Sequence, residues 1–143
     1  DYIESDKHKK ALEKILPGSW IDKTFQYWIG ESTKNKAWAY LKETKDMFDN
    51  FAQEHKDHPN LSLAHRELLI AEGSDWFWWY GEPNNSGQDY VFDYMYRERL
   101  KNVYLCLGIE HPEYLDNSLI SSTFLVLRLY TFVILQINKL LIL

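Results

Sequence analysis

The chain has 143 residues, of which 45% are hydrophobic and 26% charged, and this is enough for one domain with its own hydrophobic core. Its net charge of −5 argues against a nucleic-acid partner, because lysine and arginine drive phosphate binding. A single cysteine, Cys106, excludes an internal disulfide bond and indicates a reducing, cytoplasmic compartment. The aromatic fraction of 16% is high, and it is the property that most needs a structural explanation.

The first part of the chain predicts a short helix followed by a loop. Residues Lys7–Leu16 place apolar side chains on one side of a helix, which Pro17 and Gly18 would end. Ser19–Gly30 holds too many aromatic side chains for a solvated loop, so we expect it to pack against the rest of the domain. Because the chain begins at Asp1, without Met or a signal peptide, we expect it to be part of a longer protein.

Two longer helices are predicted next. Ser32 can cap a helix that runs to about Gln53 and that carries apolar side chains at helical spacing. After the polar connection Glu54–Asn60, Ser62 can cap a third helix over Leu63–Tyr80. This third helix contains one glycine, which the close approach of another backbone or of a ligand would explain.

The strongest helical pattern comes after the loop Gly81–Gly87. A fourth helix is predicted to begin at Asn85 or Ser86 and to end at Leu107, with Gly108 in the C′ position. Its apolar stripe predicts which side chains enter the core. These are Val91, Phe92, Met95, Tyr96, Leu100, Val103, Tyr104 and Leu107.

Together these elements predict an all-α fold, an antiparallel bundle of about four helices over residues 1–116. An irregular, apolar tail, residues 117–143, would follow. The strongly apolar part, Ile120–Leu143, suits either a pair of core strands or a buried helix, and periodicity does not separate the two. Polar residues interrupt this tail, so a membrane span is disfavoured. They are Arg128, Gln136, Asn138 and Lys139.

The segment Ala71–Gly81, AEGSDWFWWYG, is the best candidate for a binding site. If it is helical, Glu72, Asp75, Trp76 and Trp79 are spaced i, i+3, i+4 and i+7 and share one face. That face would combine flat indole rings with hydrogen-bonding carboxylates. Sugar sites need both, because a pyranose has an apolar C–H face and a rim of hydroxyl groups.

On spacing alone, the simpler interpretation of this aromatic stripe is core packing around a satisfied buried acid. Trp78 in particular is expected to be a core residue. Glu72 could cap a helix or pair with Arg66 or Arg97 instead of facing a ligand. Both interpretations stay open at the level of the residue pattern.

Several blocks of the sequence, in order along about the first four-fifths of the chain, resemble glycoside hydrolase family 57 proteins of the amylopullulanase/α-amylase type. The blocks are PGSWIDKTFQYWIG at Pro17–Gly30, NKAWAYL at Asn35–Leu41, AEGSDWFWWYG, SGQD at Ser86–Asp89, FDYMYRERLKNVY at Phe92–Tyr104 and LGIEHPEYL at Leu107–Leu115. The resemblance maps to the helical part that follows the catalytic barrel of that family, and no block resembles the barrel itself.

The resemblance implies a role in carbohydrate metabolism without catalysis by this chain. Family members carry a glutamate nucleophile and an aspartate acid/base on the barrel, so we assign no catalytic residue, cofactor or metal here. The partners that it implies are a (β/α) barrel catalytic domain and an α-glucan or malto-oligosaccharide. Trp76 would be the platform on which a sugar stacks, and Asp75 would accept hydrogen bonds from hydroxyl groups. Trp79, Glu72, Trp28 and Trp20 complete the candidate substrate-binding residues.

Two further alternatives come from the residues. The chain could be a structural bundle that docks on a missing catalytic domain through exposed aromatic side chains, without binding sugar. For Trp20 and Trp28, anchoring of their own loop on the bundle is an equal alternative to sugar contact. A His-x-x-His pair, His55 and His58, could ligate a metal, but its polar connection favours solvated surface histidines.

Overall fold

The computed structural model describes residues 14, 15, 17–84 and 86–120, and over this range the protein is all-α, as the sequence predicts. Three long helices and one short helix are present, with no strand in the described range. They are α1 (Ser32–Glu54), α2 (Leu61–Ala71), α3 (Ser74–Trp79) and α4 (Asp89–Leu107), and a 3-10 turn covers Glu113–Asp116. The predicted helix Lys7–Leu16 lies mostly outside the described residues, and its described part, Lys14 and Ile15, is not helical. The tail 121–143 also lies outside them.

The cap of α1 is Glu31, so the prediction of Ser32 as the cap was wrong. The Glu31 Oε2 atom accepts hydrogen bonds from the backbone N–H groups of Thr33, at 2.8 Å, and Lys34, at 3.1 Å. Ser32 is instead the first helical residue. A carboxylate satisfies two of the free N–H groups of the first turn and also interacts favourably with the helix dipole.

The predicted single helix Leu63–Tyr80 is wrong, because the chain breaks between α2 and α3. Gly73 has extended backbone angles, φ −58° and ψ 131°, and separates the two helices. The start also differs: Asn60 occupies the N-cap position of α2 without a side-chain hydrogen bond, and Ser62 lies inside the helix. Because of this break, the aromatic residues of α3 do not continue the helical faces of α2.

The helices run antiparallel, and contacts between side chains fix their order. The Phe48 ring of α1 stacks on His65 of α2, and nearer the start of α1 the Trp38 ring stacks on Phe77 of α3. The segment α2–α3 therefore returns along α1. It is also antiparallel to α4, because Arg99 of α4 contacts Glu67, whereas residues earlier in α4 contact α3.

Helix α4 supplies most of the core that its stripe predicts, but it begins at Asp89, later than predicted. Five of the predicted side chains are buried: Tyr96, Leu100, Val103, Tyr104 and Leu107. Met95 is 41% exposed, so its place in the core was wrong. Gly108 has the left-handed φ of +69° that its predicted position requires, and the N–H of Ile109 donates to the carbonyl of Tyr104 in the closing turn.

A buried ion pair attaches the last described segment to α4. Asp93 and Arg97 are one helical turn apart, with Asp93 1% and Arg97 7% exposed, and the two groups lie 3.1 Å apart. The Asp93 carboxylate also accepts hydrogen bonds from the Tyr80 hydroxyl, the Ser118 hydroxyl and the backbone N–H of Leu119. Because these hydrogen bonds and the ion pair compensate the Asp93 carboxylate, its charge is tolerated in the core. The bonds to Ser118 and Leu119 also fix the position of the segment after the 3-10 turn.

Candidate functional site

Six half-buried aromatic rings form a continuous row across α3, the start of α4 and the loop before α1. We call this row the aromatic belt, and its members are Tyr27, Trp28, Trp76, Trp78, Trp79 and Phe92. Each ring is partly exposed to solvent and packs against the next. The belt is therefore a wall of the bundle and not part of its sealed core.

Ring contacts connect the belt from the loop to α4. The Tyr27 ring is stacked on Trp78, with centroids 5.2 Å apart and planes at 19°, and Trp78 meets Trp79 edge-on at 6.4 Å. Trp79 is then stacked on Phe92 at 5.6 Å, and Phe92 meets Trp76 at 6.4 Å. These are the separations at which aromatic pairs attract one another, so the belt is a cohesive surface.

The structure brings Trp76 and Trp79 together, as their predicted spacing requires, because both rings contact Phe92. The indole N–H of Trp76 donates to the carbonyl of Ile70 at 2.8 Å. The ring is half-buried, so it can offer apolar contact to a ligand, while its N–H is already bonded within the chain. Trp78, expected in the core, is half-buried and packs against the loop.

The two predicted acids are separated by the helix break. Asp75 lies in the first turn of α3, is exposed, and forms no hydrogen bond or ion pair with any described residue. Glu72 lies at the end of α2, so the single helical face predicted for both acids was wrong. A hydrogen bond to Asp49 and, more weakly, the charge of Glu72 raise the pKa of Lys45. Arg97, suggested as a partner of Glu72, instead pairs with Asp93.

The two tryptophans of the loop have different environments. The Trp28 ring lies 5.3 Å from Trp78, and its carbonyl accepts a hydrogen bond from Trp38 Nε1 at 2.9 Å. Both contacts fasten the loop to the bundle. Trp20 is 87% exposed and is the most exposed of the large apolar side chains described. The Asp22 carboxylate, between them, accepts hydrogen bonds from its own loop, including one from Thr24 Oγ1.

A buried cation beside the belt was missed by sequence reasoning. Lys34 is fully buried, and its ammonium group donates to the carbonyls of Tyr27, at 2.9 Å, Glu82, at 2.7 Å, and Gln26, at 3.4 Å. The signal was its position, because Lys34 precedes Ala37 by three residues and so lies on the apolar face of α1. Because lysine is charged, the sequence pattern alone predicts that this side chain is exposed.

An open cleft of about 520 Å³ lies elsewhere, after α4. Its walls are formed by Glu110, His111, Pro112, Glu113 and Asp116, none of which belongs to the belt. The carboxylate of Asp116 is paired with Lys101 at 2.7 Å and with His111 at 3.2 Å. Within the described ranges no group of three or more His, Cys, Asp or Glu side chains could hold a metal ion, and no helix is long and apolar enough to cross a membrane.

Comparisons of the chain with protein-family models, with curated proteins and with solved structures gave no match. The resemblance to glycoside hydrolase family 57 therefore rests on the sequence blocks alone.

Proposed function

We propose that the aromatic belt is a binding surface for α-glucan, and that the chain is the helical part of a cytoplasmic enzyme resembling glycoside hydrolase family 57. The observation that carries this proposal is the row of partly exposed rings beside an unpaired, exposed carboxylate, Asp75. Rings of this kind can cover the apolar face of a pyranose, while the carboxylate accepts hydrogen bonds from its hydroxyl groups. The sequence blocks that resemble the family include all six belt residues.

The proposed role is binding without catalysis. A retaining glycosidase needs two carboxyl groups about 5 Å apart on either side of the scissile bond. Asp75 is the one carboxylate on α3, and Glu72 lies at the end of another helix. We therefore expect a barrel domain to supply the reacting carboxylates and this chain to supply one wall of the cleft.

Tryptophan fluorescence titrated with a malto-oligosaccharide tests the proposal. The wild-type chain should show a saturable change, and Trp79→Ala should weaken binding by at least about tenfold, which is 1.4 kcal/mol. Asp75→Asn, an exposed substitution, should weaken it less while leaving the fold intact. The matched control is Leu105→Ala, which removes a side chain 74% exposed on α4.

The same titration can overturn the proposal. A wild-type chain that keeps its helical circular dichroism but shows no fluorescence change at millimolar sugar does not bind glucan. Equal affinities for Trp79→Ala and the Leu105→Ala control would place the site away from the belt.

One observation favours the second candidate, a bundle that docks on another domain. Four strongly exposed apolar side chains come from one stretch before α1: Ile15, Trp20, Phe25 and Ile29. These side chains are close in sequence, and large exposed apolar side chains are found on interaction surfaces. If this candidate is correct, Trp20→Ser should reduce self-association of the isolated chain in sedimentation experiments, and sugar should have no effect.

A further inference from the structure

The ammonium group of Lys34 occupies a cage made of backbone carbonyls. An ammonium group has three N–H donors, and the carbonyls of Gln26, Tyr27 and Glu82 provide three acceptors. Lys34 itself is fixed in the first turn of α1 and is fully buried. The helix therefore sets the position of Lys34, and both loops bind its ammonium group through their carbonyls.

Of the two loops that meet at this cage, one carries Tyr27 and the other directly follows α3, which carries the stacking partner Trp78. Tyr27 belongs to the loop before α1, and its ring stacks on Trp78 of α3. Glu82 follows α3, and in the same loop the Asn84 side chain donates to the carbonyl of Trp78 at 3.1 Å. One buried cation thus holds the backbone on both sides of the Tyr27–Trp78 stack.

The carboxylate of Glu31, which caps α1, lies at the same junction. A methyl group added at Gly81 would lie 2.5 Å from Oε2 of Glu31, so the loop after α3 passes directly over the cap of α1. Burial lowers the pKa of Lys34, while the charges of Glu31 and Glu82 act in the opposite direction. No carboxylate among the described residues bonds the ammonium group directly, so neutral carbonyl dipoles provide its contacts.

A buried charge of this kind contributes little to stability, because its desolvation offsets the hydrogen bonds that it forms. An apolar side chain would fill the same space in α1 without that cost. What the cation provides, and an apolar side chain does not, is a fixed distance between two loops that are otherwise irregular.

We propose that Lys34 is the positioning residue of the aromatic belt: it holds the loop of Tyr27 against the loop of Glu82 so that the rings at this end form one surface. The part of this inference that concerns ligand affinity rests on the proposed function of the belt. The part that concerns the arrangement of the rings does not.

The test compares Lys34→Met with a control, Lys42→Met, which removes an exposed lysine from the same helix. Near-ultraviolet circular dichroism reports the packing of the rings, and acrylamide quenching reports how exposed the tryptophans are. Lys34→Met should keep the helical far-ultraviolet spectrum, lose about half of the aromatic signal and roughly double the quenching constant, because the Tyr27–Trp78 stack opens. Lys42→Met should resemble the wild type.

Malto-oligosaccharide titration of the same proteins separates the two hypotheses. Affinity should fall by about tenfold in Lys34→Met, equal to 1.4 kcal/mol, if the belt binds glucan. If the wild type does not bind sugar but Lys34→Met still loses its aromatic signal, the positioning role stands and the glucan hypothesis fails. If Lys34→Met keeps the wild-type aromatic signal and quenching, the positioning role is overturned.

A second variant covers the case in which Lys34→Met does not fold. Lys34→Gln is neutral and can donate to two carbonyls through its amide group. It should fold and should show a smaller loss of aromatic signal than the methionine variant. An unchanged aromatic signal in Lys34→Gln, or loss of the helical spectrum in both variants, would contradict a role confined to positioning the belt.

Discussion

Thr44 is a buried polar residue whose hydroxyl group has no hydrogen-bond partner among the described residues. It lies on the buried face of α1 with its side chain fully covered. A buried hydroxyl without a partner costs about 1–3 kcal/mol of desolvation. The site is thus a specific weakness in the core.

Thr44→Val should therefore raise the free energy of unfolding, by up to about 1 kcal/mol, since valine has a similar shape and no polar group. Urea denaturation followed by far-ultraviolet circular dichroism measures the change. Thr33→Val is the matched control, because the Thr33 hydroxyl contacts the Glu31 carboxylate at 3.3 Å and its loss should not stabilise. A lower midpoint for Thr44→Val than for the wild type would show that the hydroxyl is satisfied in solution.

At the same scale, the sequence predicts apolar contacts of the candidate site better than its polar ones. The spacing of Trp76 and Trp79 is local, so their common neighbourhood could be predicted. The partners of Lys34 could not, because the carbonyl of Glu82 that it contacts is 48 residues away in sequence. Asp93 likewise gains two of its four hydrogen-bonding partners, Ser118 and Leu119, from the segment that follows α4, and the residue pattern does not predict such contacts.

Among the elements, the end of α4 depends on one backbone conformation. Gly108 adopts φ +69°, in the left-handed region, and nothing lies within 4 Å of a methyl group placed on it. Space is therefore available for a side chain, and the conformation alone excludes it. For residues other than glycine the left-handed region is unfavourable by roughly 1–2 kcal/mol.

Gly108→Ala should lower the free energy of unfolding by about 1 kcal/mol, and Gly108→Asn by less, because asparagine tolerates this conformation. Thermal denaturation of the three proteins under one set of conditions ranks them. Equal melting temperatures for the alanine and asparagine variants would mean that the turn relaxes into another conformation.

The extent of α1 and the end of α4 could be predicted from the sequence to within a residue or so, whereas the start of α4 and the break between α2 and α3 could not. The indole N–H of Trp76 donates to the carbonyl of Ile70 at 2.8 Å, and the same carbonyl accepts a hydrogen bond from the backbone N–H of Gly73 at 3.2 Å. A methyl group at Gly73 would lie 3.1 Å from the same carbonyl oxygen, so glycine suits the tight passage. Apolar periodicity does not report such a side-chain hydrogen bond at a helix end, which is why the pattern predicted one continuous helix.

In the molecule as a whole, α2 and α4 are joined by the polar contacts of Glu67 in addition to their apolar packing. The Glu67 carboxylate lies 2.9 Å from the Arg99 guanidinium group and accepts a hydrogen bond from Asn102 at 3.1 Å. Burial works against the charged carboxylate, but these two hydrogen bonds and the charge of Arg99 lower the pKa of Glu67 below its ordinary value of 4.5. The contact therefore couples the packing of the two helices to pH.

Because the pKa of Glu67 is lower in the folded protein than in the unfolded chain, its contribution to stability is complete above about pH 4.5 and is lost as the pH falls. We expect Glu67→Gln to be less stable than the wild type at pH 7 by about 1 kcal/mol or less, since the pair is partly exposed. The difference should shrink as the pH is lowered below 4.5, where the wild-type carboxylate takes up its proton. Urea denaturation at a series of pH values measures both curves.

A double-mutant cycle identifies the source of this pH dependence. In an Arg99→Met background, Glu67→Gln should change stability less at pH 7 than it does in the wild type, because the charge that favours the carboxylate is gone. If the effect of Glu67→Gln is the same in both backgrounds, Asn102 and not Arg99 determines the stability of the carboxylate. A stability difference that grows as the pH falls would contradict the direction of the pKa shift, and with it the ion pair as the polar link between α2 and α4.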